Sequence, residues 1–234
     1  YAIDAVGSLE PEEEYVVVAR VPGVIDAVTF QEGDAVTPEK ELAVIDADRH
    51  ALAAARARGA HARAQAELGE AESALARRRA LREKDPGYVS EEELSTHASL
   101  VDKMKAALAE AKAVLDLAEQ DLRESRVRAP HEGTINEKLV RPGQFVERGM
   151  PLARLVDTRR LRLRFRVTEA ESVRIPAAPD IAFRTRAHAG REFPARLFHL
   201  GRQADPATRM VDGLAWVDNA HALLRPGFFA EVRI

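Results

Sequence analysis

The chain has 234 residues, of which 46% are hydrophobic and 31% are charged, and its formal net charge is −3. This balance is typical of a folded globular protein and argues against wholesale disorder. No run approaches 18 consecutive apolar residues, so no membrane-spanning helix is predicted. The complete absence of cysteine excludes disulfides, thiolate metal sites and a cysteine nucleophile, and it leaves the redox compartment open.

The middle third of the chain is predicted to be helical. Between residues 31 and 144 the only aromatic residue is Tyr88, and between residues 39 and 129 the only proline is Pro86. Alanine, the best helix former, is abundant from 51 to 64. The flanking segments have short apolar runs separated by glycine and proline, which is typical of strands and turns. The predicted layout is therefore β, then long α, then β.

A turn at Asp85-Pro86-Gly87 divides the helical region into two arms of about 37 residues, or roughly 55 Å each. Ser90 is the expected N-cap of the second arm, with Glu93 at the capping-box position. Apolar residues spaced by three and four in both arms predict an antiparallel coiled-coil hairpin. The seam of the second arm comprises Val101, Met104, Leu108, Ala111, Leu115, Ala118 and Leu122, and the weaker seam of the first arm comprises Ala57, Ala64, Leu68, Ala71 and Leu75.

The charges of the two arms are complementary. Residues 48–84 include nine basic and five acidic side chains, and residues 90–126 include five basic and nine acidic ones. These opposite charges favour the register of the pairing, although an exposed ion pair contributes only about 0–1 kcal/mol. A second apolar line in the second arm, formed by Leu100, Ala107 and Val114, either widens the same seam or is available to a partner.

The β segments before and after the helices are related by an offset of 110 residues. In each copy a glycine opens a strand, and a second glycine ten residues later makes a turn. These glycines are expected to supply positive φ or close backbone approach. The matched pairs are Gly23 with Gly133, Gly33 with Gly143, Ile25 with Ile135, Val36 with Val146, and Leu42 with Leu152. Because neither copy can bury a core alone, the two are predicted to fold together into one compact β unit.

The C-terminal third is predicted to be an antiparallel β-barrel. Arg160 to Val167 alternate between basic and apolar residues, which predicts a strand with one face of each kind. Thr168 and Glu171 form a capping box for a short helix near 169–174. Further strands are expected at 181–189, 193–200, 211–218 and 228–234, after a structural turn at Gly227. The arginine face either orients the molecule against charged partners or lipid headgroups, or is simply solvated.

The split repeat resembles the two half-motifs of a biotinyl/lipoyl domain. The residues that carry the likeness are Gly23-Val24-Ile25 through Glu32-Gly33-Asp34-Ala35-Val36, and Ala129-Pro130-His131-Glu132-Gly133-Thr134-Ile135 through Arg141-Pro142-Gly143-Gln144-Phe145-Val146. With a helical hairpin between the halves, the chain is similar to the periplasmic adaptor (membrane fusion) proteins of tripartite RND-type efflux pumps. Segments 204–209 and 223–232 are similar to the closing strands of that family's β-barrel, so the resemblance covers nearly the whole chain.

The resemblance implies a multidomain α+β fold. It comprises a split lipoyl/biotinyl-like β domain with an inserted antiparallel coiled-coil α-hairpin, followed by an antiparallel β-barrel domain. The expected bounds are 12–46 and 127–157 for the two half-motifs, 47–126 for the hairpin and 158–234 for the barrel, which residues 1–11 are available to join. The sequence ends with the barrel, so the family's membrane-proximal domain is expected to be missing from it or reduced.

The resemblance also implies a function. The protein is expected in the periplasm at the inner membrane, coupling a resistance-nodulation-division (RND) transporter to an outer-membrane channel. Copies are expected to assemble into a ring, a hexamer in the complete pump. An adaptor of an ABC-type exporter or of a type I secretion system is the alternative, and the substrate class stays open.

The turn between the arms is the expected channel-docking tip. Tyr88 is the only aromatic residue of the rod, and Val89 is expected to add apolar surface beside it, unless both fold back over the last helical turns. Members of the family that engage the commonest class of channel carry an arginine, a leucine four residues later and a serine seven residues after that. Here Arg77 and Leu81 fit, but Ser90 comes nine residues after Leu81. The expected docking residues are Arg77, Leu81, Tyr88, Val89, Ser90 and Leu94.

The sequence contains no catalytic constellation, so the protein is expected not to be an enzyme. A carrier domain needs an exposed lysine where its halves join, but this junction reads Asp46-Ala47-Asp48-Arg49, so no covalent cofactor is expected. The seven histidines lack metal-ligand spacing, and there is no nucleotide-binding loop or nucleophile elbow. The alternatives from other classes are a biotin or lipoate carrier, disfavoured by the missing lysine, and a nucleic-acid-binding coiled coil, disfavoured by the net charge and the scarcity of aromatics.

Overall fold

The computed structural model describes residues 3–176 and 180–234, which form fourteen strands, three α-helices and one short 3₁₀ turn at Arg186–His188. The strands are β1 (Asp4–Pro11), β2 (Glu14–Val18), β3 (Gly23–Val28), β4 (Ala35–Val36), β5 (Glu41–Ile45), β6 (Arg126–Arg128), β7 (Gly133–Lys138), β8 (Phe145–Val146), β9 (Pro151–Val156), β10 (Arg160–Thr168), β11 (Asp180–Thr185), β12 (Glu192–Leu200), β13 (Met210–Asp218) and β14 (Phe229–Arg233). The helices are α1 (Ala47–Lys84), α2 (Glu91–Glu124) and α3 (Glu169–Ser172).

Strands β2 to β9 form two four-stranded antiparallel sheets, in the orders β2-β9-β7-β4 and β6-β5-β3-β8. Each sheet takes two strands from before the helices and two from after them. The offset of 110 residues maps one sheet onto the other, and backbone hydrogen bonds follow the same relation. The Gly33 N–H donates to the Ile135 carbonyl and the Gly143 N–H donates to the Ile25 carbonyl, each at 2.8 Å. The two halves thus complete each other, as the repeat predicts.

The core of this β unit lies between the two sheets. The aliphatic pairs that the repeat matched, Ile25 with Ile135 and Leu42 with Leu152, are all buried, and Phe30 is the aromatic residue among them. Burying a side chain of this size contributes about 1.5–3 kcal/mol. Because the core residues come from both halves, the same burial that stabilises the unit also holds the halves together.

The repeat glycines meet two different needs. Gly33 and Gly143 have φ of +90° and +82°, a left-handed conformation that glycine adopts without steric cost. Gly227 in the barrel has φ of +86°. Gly23 and Gly133 instead allow close approach, because a Cβ at either position would lie 2.8 Å from another atom of the protein. Glycine is therefore required at all four repeat positions, at two for its backbone conformation and at two for the space beside it.

Helices α1 and α2 pack against each other as an antiparallel hairpin of 38 and 34 residues. The buried residues of α1 include Ala57, Ala64, Ala71 and Leu75, and those of α2 are Val101 and Leu115. Ion pairs cross between the arms, as the charges predict; the Arg58–Glu119 pair is 2.8 Å long. Leu100 and Val114 remain exposed, so they do not widen the seam. Over the two described ranges, no helix is long and apolar enough to cross a bilayer.

The C-terminal domain is a closed six-stranded barrel with the order β1-β10-β13-β12-β11-β14. Strand β1, from the N-terminal segment, lies between β10 and β14 and closes it. The predicted strand 181–189 ends at Thr185 and gives way to the 3₁₀ turn, and the short helix ends at Ser172. Residues 1 and 2 of the expected segment 1–11, and residues 177–179 of the expected barrel domain, lie outside the described residues.

The basic face of β10 is neutralised by its neighbours. Glu10 on β1 pairs with Arg162 at 3.2 Å and with Arg164 at 2.8 Å. Asp212 on β13 pairs with Arg164 at 3.6 Å and with Arg166 at 3.1 Å. The arginine face is therefore neither a bare solvated face nor a free cationic surface, because the strands beside it bring carboxylates opposite it.

The barrel joins the β unit through the segment before β10. The Arg159 side chain donates a hydrogen bond to the Asp157 carboxylate at 2.7 Å and also pairs with Glu132. The backbone of Arg159 is bonded as well, because its carbonyl accepts the Asn219 N–H at 2.8 Å. The Arg159 hydrogen bond holds the pKa of the Asp157 carboxyl below its ordinary value. Asn219 is buried, and its side chain donates to the Thr158 carbonyl at 2.7 Å. The connection between the domains is thus hydrogen-bonded on both sides.

Two glycine-to-alanine substitutions test this packing in opposite directions. At Gly213 on β13 a Cβ would overlap the Phe165 ring, so Gly213→Ala should destabilise the protein by about 1–3 kcal/mol. At Gly59 in α1 nothing lies within 4 Å of the added Cβ, so Gly59→Ala should stabilise the helix by about 0.5–1 kcal/mol. Thermal unfolding followed by circular dichroism compares the two, and equal stability of Gly213→Ala and the parent protein would contradict the packing described.

Candidate functional site: the tip of the helical hairpin

The first arm leaves the β unit through a constrained junction. Asp46 precedes α1 with a left-handed φ of +46°, and its N–H donates to the Val24 carbonyl at 2.9 Å. The Asp46 carboxylate accepts the Val24 N–H at 3.3 Å, and the Ala47 N–H donates to the Asp26 carboxylate at 3.0 Å. The junction at which a carrier domain would hold its lysine is therefore the point where α1 begins, and its backbone is hydrogen-bonded to β3.

The second arm is anchored where it returns to the β unit. Ser125 is buried, and its carbonyl accepts the Ile45 N–H at 2.8 Å. Arg148 donates to the Arg20 carbonyl at 2.6 Å and lies 3.6 Å from the Asp121 carboxylate on α2. Both arms are thus fixed to the same β unit, which determines the direction in which the hairpin projects.

At the far end the turn is built by short-range hydrogen bonds. The Asp85 N–H donates to the Leu81 carbonyl at 3.1 Å, and the Asp85 carboxylate accepts the Gly87 N–H at 2.9 Å. The Ser90 hydroxyl accepts the Glu93 N–H at 3.1 Å, which is the predicted N-cap. These bonds satisfy backbone groups that the two helix ends leave free.

Ion pairs join the two arms just below the turn. Glu93 pairs with Arg78 at 3.0 Å, and Arg82 lies 3.7 Å from Glu91. The carboxylate expected to close the capping box at Glu93 therefore bridges to the other arm instead. Arg77 is exposed, and within the described part of the chain no ion pair engages it. Among the described residues, the free positive charge below the tip therefore includes Arg77 and Arg79, whereas Arg78 is paired.

Tyr88 and Leu81 provide the exposed apolar surface near the tip. The Tyr88 side chain is 76% exposed, and that of Leu81 is about half exposed. Arg77 and Leu81 are four residues apart in α1, so they share one face of the helix. Tyrosine and arginine are among the residue types enriched at protein-binding hot spots, and Tyr88 and Arg77 are both exposed here.

Val89 does not belong to this surface, and the expectation that it adds apolar area beside Tyr88 is wrong. It is only 5% exposed, whereas its neighbour Tyr88 faces solvent, and burial of an aliphatic side chain is favourable. Leu94 packs against the cluster of Ala71, Leu75 and Val101. Val89 and Leu94 occupy the N′ and N4 positions around the Ser90 cap, the spacing of a hydrophobic staple, and that spacing is the sequence signal for their burial.

A pair of aspartate substitutions distinguishes the two roles at the tip. Val89→Asp places a charge at a buried position and should destabilise the tip by about 2 kcal/mol or more. Tyr88→Asp should change stability by less than about 0.5 kcal/mol, because the ring is exposed. Hydrogen exchange of the amides from 85 to 101 measures both effects. Equal protection in the two variants would show that the side chains are not divided in this way.

No group of three or more histidine, aspartate or glutamate side chains forms a metal-binding cluster in residues 3–176 and 180–234.

Two family profiles together match residues 13–234. Residues 13–157 match the CzcB-like, barrel-sandwich hybrid domain, and residues 157–234 match the CusB-like, β-barrel domain. The multidrug resistance protein MdtA of Yersinia pseudotuberculosis serotype O:3 (strain YPIII) is 27% identical over 244 aligned positions, covering 99% of this chain and 54% of MdtA. The chain thus spans about half the length of this curated relative.

Solved structures share the fold. The membrane fusion protein Spr0693 from Streptococcus pneumoniae R6 has a TM-score of 0.75 at 17% identity, with 98% of this chain and 99% of that chain covered. MacA from Actinobacillus actinomycetemcomitans has a TM-score of 0.74 at 21% identity, with 100% of this chain and 78% of that chain covered. At these identities the likeness extends to the fold alone.

Proposed function

Because the chain belongs to the CzcB-like barrel-sandwich hybrid family, with a CusB-like β-barrel following the hybrid domain, we propose that it is the periplasmic adaptor of an RND-type efflux pump. It couples an inner-membrane transporter to an outer-membrane channel. The observation that carries this proposal is the hairpin anchored at both ends on a shared β unit, with an exposed aromatic tip. In this proposal the β unit is lipoyl-like and the hairpin is a coiled coil.

The contribution of the protein is structural and conformational rather than catalytic. An α1 of 38 residues gives a rod of about 57 Å. Since both arms are hydrogen-bonded to one β unit, and the barrel is hydrogen-bonded to the same unit, a displacement of the barrel is transmitted to the tip. A duct built from such rods lets the transporter expel substrates past the periplasm without chemistry in the adaptor.

Copies of the protein stand side by side in a ring, a hexamer in the assembled pump, with the barrel end toward the inner membrane. The exposed apolar side chains along α2, namely Leu100, Val114 and Leu117, favour contact between neighbouring hairpins. They form a narrow line, whereas stable interfaces bury about 1,200–2,000 Å². The ring therefore forms on the partner surfaces, and self-association in isolation is weak.

An adaptor of an ABC-type exporter or of a type I secretion system is less favoured. The matched β-barrel profile is of the RND type. Arms of 38 and 34 residues also suit an RND partner better than the longer rods expected for type I secretion. The curated relative MdtA is named for multidrug resistance, so drug efflux is the activity to measure first.

The channel docks on the surface formed by Arg77, Leu81 and Tyr88. Ser90 contributes by capping α2, and Val89 and Leu94 contribute by supporting the turn from inside. The departure from the family's usual tip spacing then concerns the length of the turn, while the arginine–leucine face of α1 is retained.

Replacement of the exposed aromatic residue tests the docking surface in cells. In the full-length protein, Tyr88→Asp should weaken channel docking by about tenfold or more and lower drug efflux toward the level of a deletion strain. Leu52→Asp is the matched control, because Leu52 is equally exposed at the base of the hairpin and far along α1 from the tip. Drug susceptibility and dye accumulation provide the readout. Full efflux by a folded, normally expressed Tyr88→Asp variant would place docking elsewhere.

A further inference from the structure

The barrel carries two exposed apolar patches on its outer wall that its core does not use. The first, here called the aromatic patch, comprises Phe198, Trp216 and Arg196 on β12 and β13. The second, the acidic groove, comprises Val6, Phe229 and Glu231 on β1 and β14. None of these six residues belongs to the hydrophobic core of the barrel, so burial inside the domain does not account for them.

The aromatic patch lies on the outward-facing side of β12 and β13. Burial alternates along β12, so Arg196 and Phe198 face outward while Leu197 between them is buried. The register against β13 then shifts between Leu197 and His199. There Phe198 stacks on Trp216 with ring centroids 4.4 Å apart, and the Arg160 guanidinium lies 4.6 Å from the Trp216 centroid. Phe198 is still 43% exposed. The stack covers one ring face only, and an aromatic edge remains for a partner.

Arg196 adds an unneutralised positive charge to this patch. It lies directly opposite Trp216 in the strand register, with Asp180 as its neighbour on the other side. In the part of the chain that the structure describes, neither Asp180 nor another carboxylate approaches Arg196 within 4.0 Å. Arginine and tryptophan are both among the residue types enriched at interface hot spots.

The acidic groove has the complementary character. Val6 is 68% exposed and Phe229 is 73% exposed, and Val6 lies opposite Glu231 in the register of β1 with β14. A surface concavity of about 390 Å³ opens beside them, lined in part by Val6, Arg184 and Glu231. Arg184 is occupied by Glu192 at 2.6 Å, so among the described residues Glu231 has no ion-pair partner.

The two patches lie on opposite walls of the barrel. In the closed order β1-β10-β13-β12-β11-β14, strand β13 is three strands from β14 in either direction, and β12 is three strands from β1. One wall presents an aromatic residue with a free cation, and the opposite wall presents apolar residues with a free anion. Such a pair of unlike surfaces is what a head-to-tail contact between identical chains requires.

We infer that the aromatic patch of one copy docks into the acidic groove of the next copy, with Arg196 facing Glu231 across the contact. Repetition of this contact gives a head-to-tail series of barrels, which the ring of the pump closes. The inference rests on the proposed function for that ring. It assigns the contact between neighbouring barrels to the aromatic patch of one copy and the acidic groove of the next. Two aromatic patches, or two acidic grooves, therefore do not contact each other.

Site-directed cross-linking in the full-length protein tests this contact in its native membrane. Residues 1–234 contain no cysteine, so His199→Cys beside the aromatic patch and Ser8→Cys beside the acidic groove each introduce one new thiol into this region. Any cysteine elsewhere in the full-length protein is replaced first. With a short bismaleimide, co-expressed His199→Cys and Ser8→Cys copies should form a dimer, and neither variant should form one alone.

Charge reversal in the same assay tests the assigned pair. Arg196→Glu, added to the His199→Cys copy, should lower the yield of cross-linked dimer about tenfold, because it faces Glu231 with a like charge. Adding Glu231→Arg to the Ser8→Cys copy should then restore the yield. Arg202→Glu is the control, because Arg202 is an exposed residue of the same barrel in the loop between β12 and β13, outside both patches.

Three results would overturn the inference. The first is a cross-linked dimer of His199→Cys alone or of Ser8→Cys alone, which would show that like patches meet. The second is the absence of a dimer from the co-expressed pair, and the third is a yield of cross-linked dimer that Arg196→Glu does not change. The assay reads contact between copies and not efflux. A failure here therefore leaves the tip experiment with Tyr88→Asp standing, and a failure of that experiment leaves the cross-links to be judged separately.

Discussion

The exchange of strands between the two halves of the β unit is the constraint on which the rest of the structure depends. The reciprocal bonds from Gly33 to Ile135 and from Gly143 to Ile25 mean that neither half completes a sheet alone. Strands β5 and β6, which precede and follow the hairpin, pair directly with each other. The two arms therefore begin side by side on adjacent strands, and a pair of helices with few large core residues is held together at its base.

The charged residues follow a common pattern across the molecule. Most exposed arginines on the structured elements pair with a carboxylate on a neighbouring strand or helix, as Arg164 does with Glu10 and Arg58 with Glu119. Each such pair contributes little to stability in water. Their larger effect is to fix which strands and helices lie side by side, while Arg77 near the tip and Arg196 on the barrel are among the described arginines that no ion pair engages.

Much of this architecture could be predicted from the sequence, because it depends on local spacing. The helix seams and the Ser90 cap are short-range patterns, and the offset of 110 residues is an internal repeat that the sequence shows directly. The structure contains each of them. The features that could not be predicted depend on long-range register. Residues 1–11 were expected to be available to the barrel, but the place of β1 between β10 and β14, and the neutralisation of the β10 arginines, both require that register. At the tip, Val89 is buried although its neighbour Tyr88 is exposed. The signal for this difference is the hydrophobic-staple spacing of Val89 and Leu94 around Ser90. The apolar composition of the turn does not distinguish the two residues, so it led to the wrong prediction for Val89.

Affinity purification of the full-length protein from its native membrane, after mild cross-linking, tests the central claim most directly. The account predicts that an RND-type inner-membrane transporter and an outer-membrane channel protein are recovered together with it, identified by mass spectrometry. Recovery of an ABC-type exporter in place of the RND transporter, or of neither a transporter nor a channel, would contradict it.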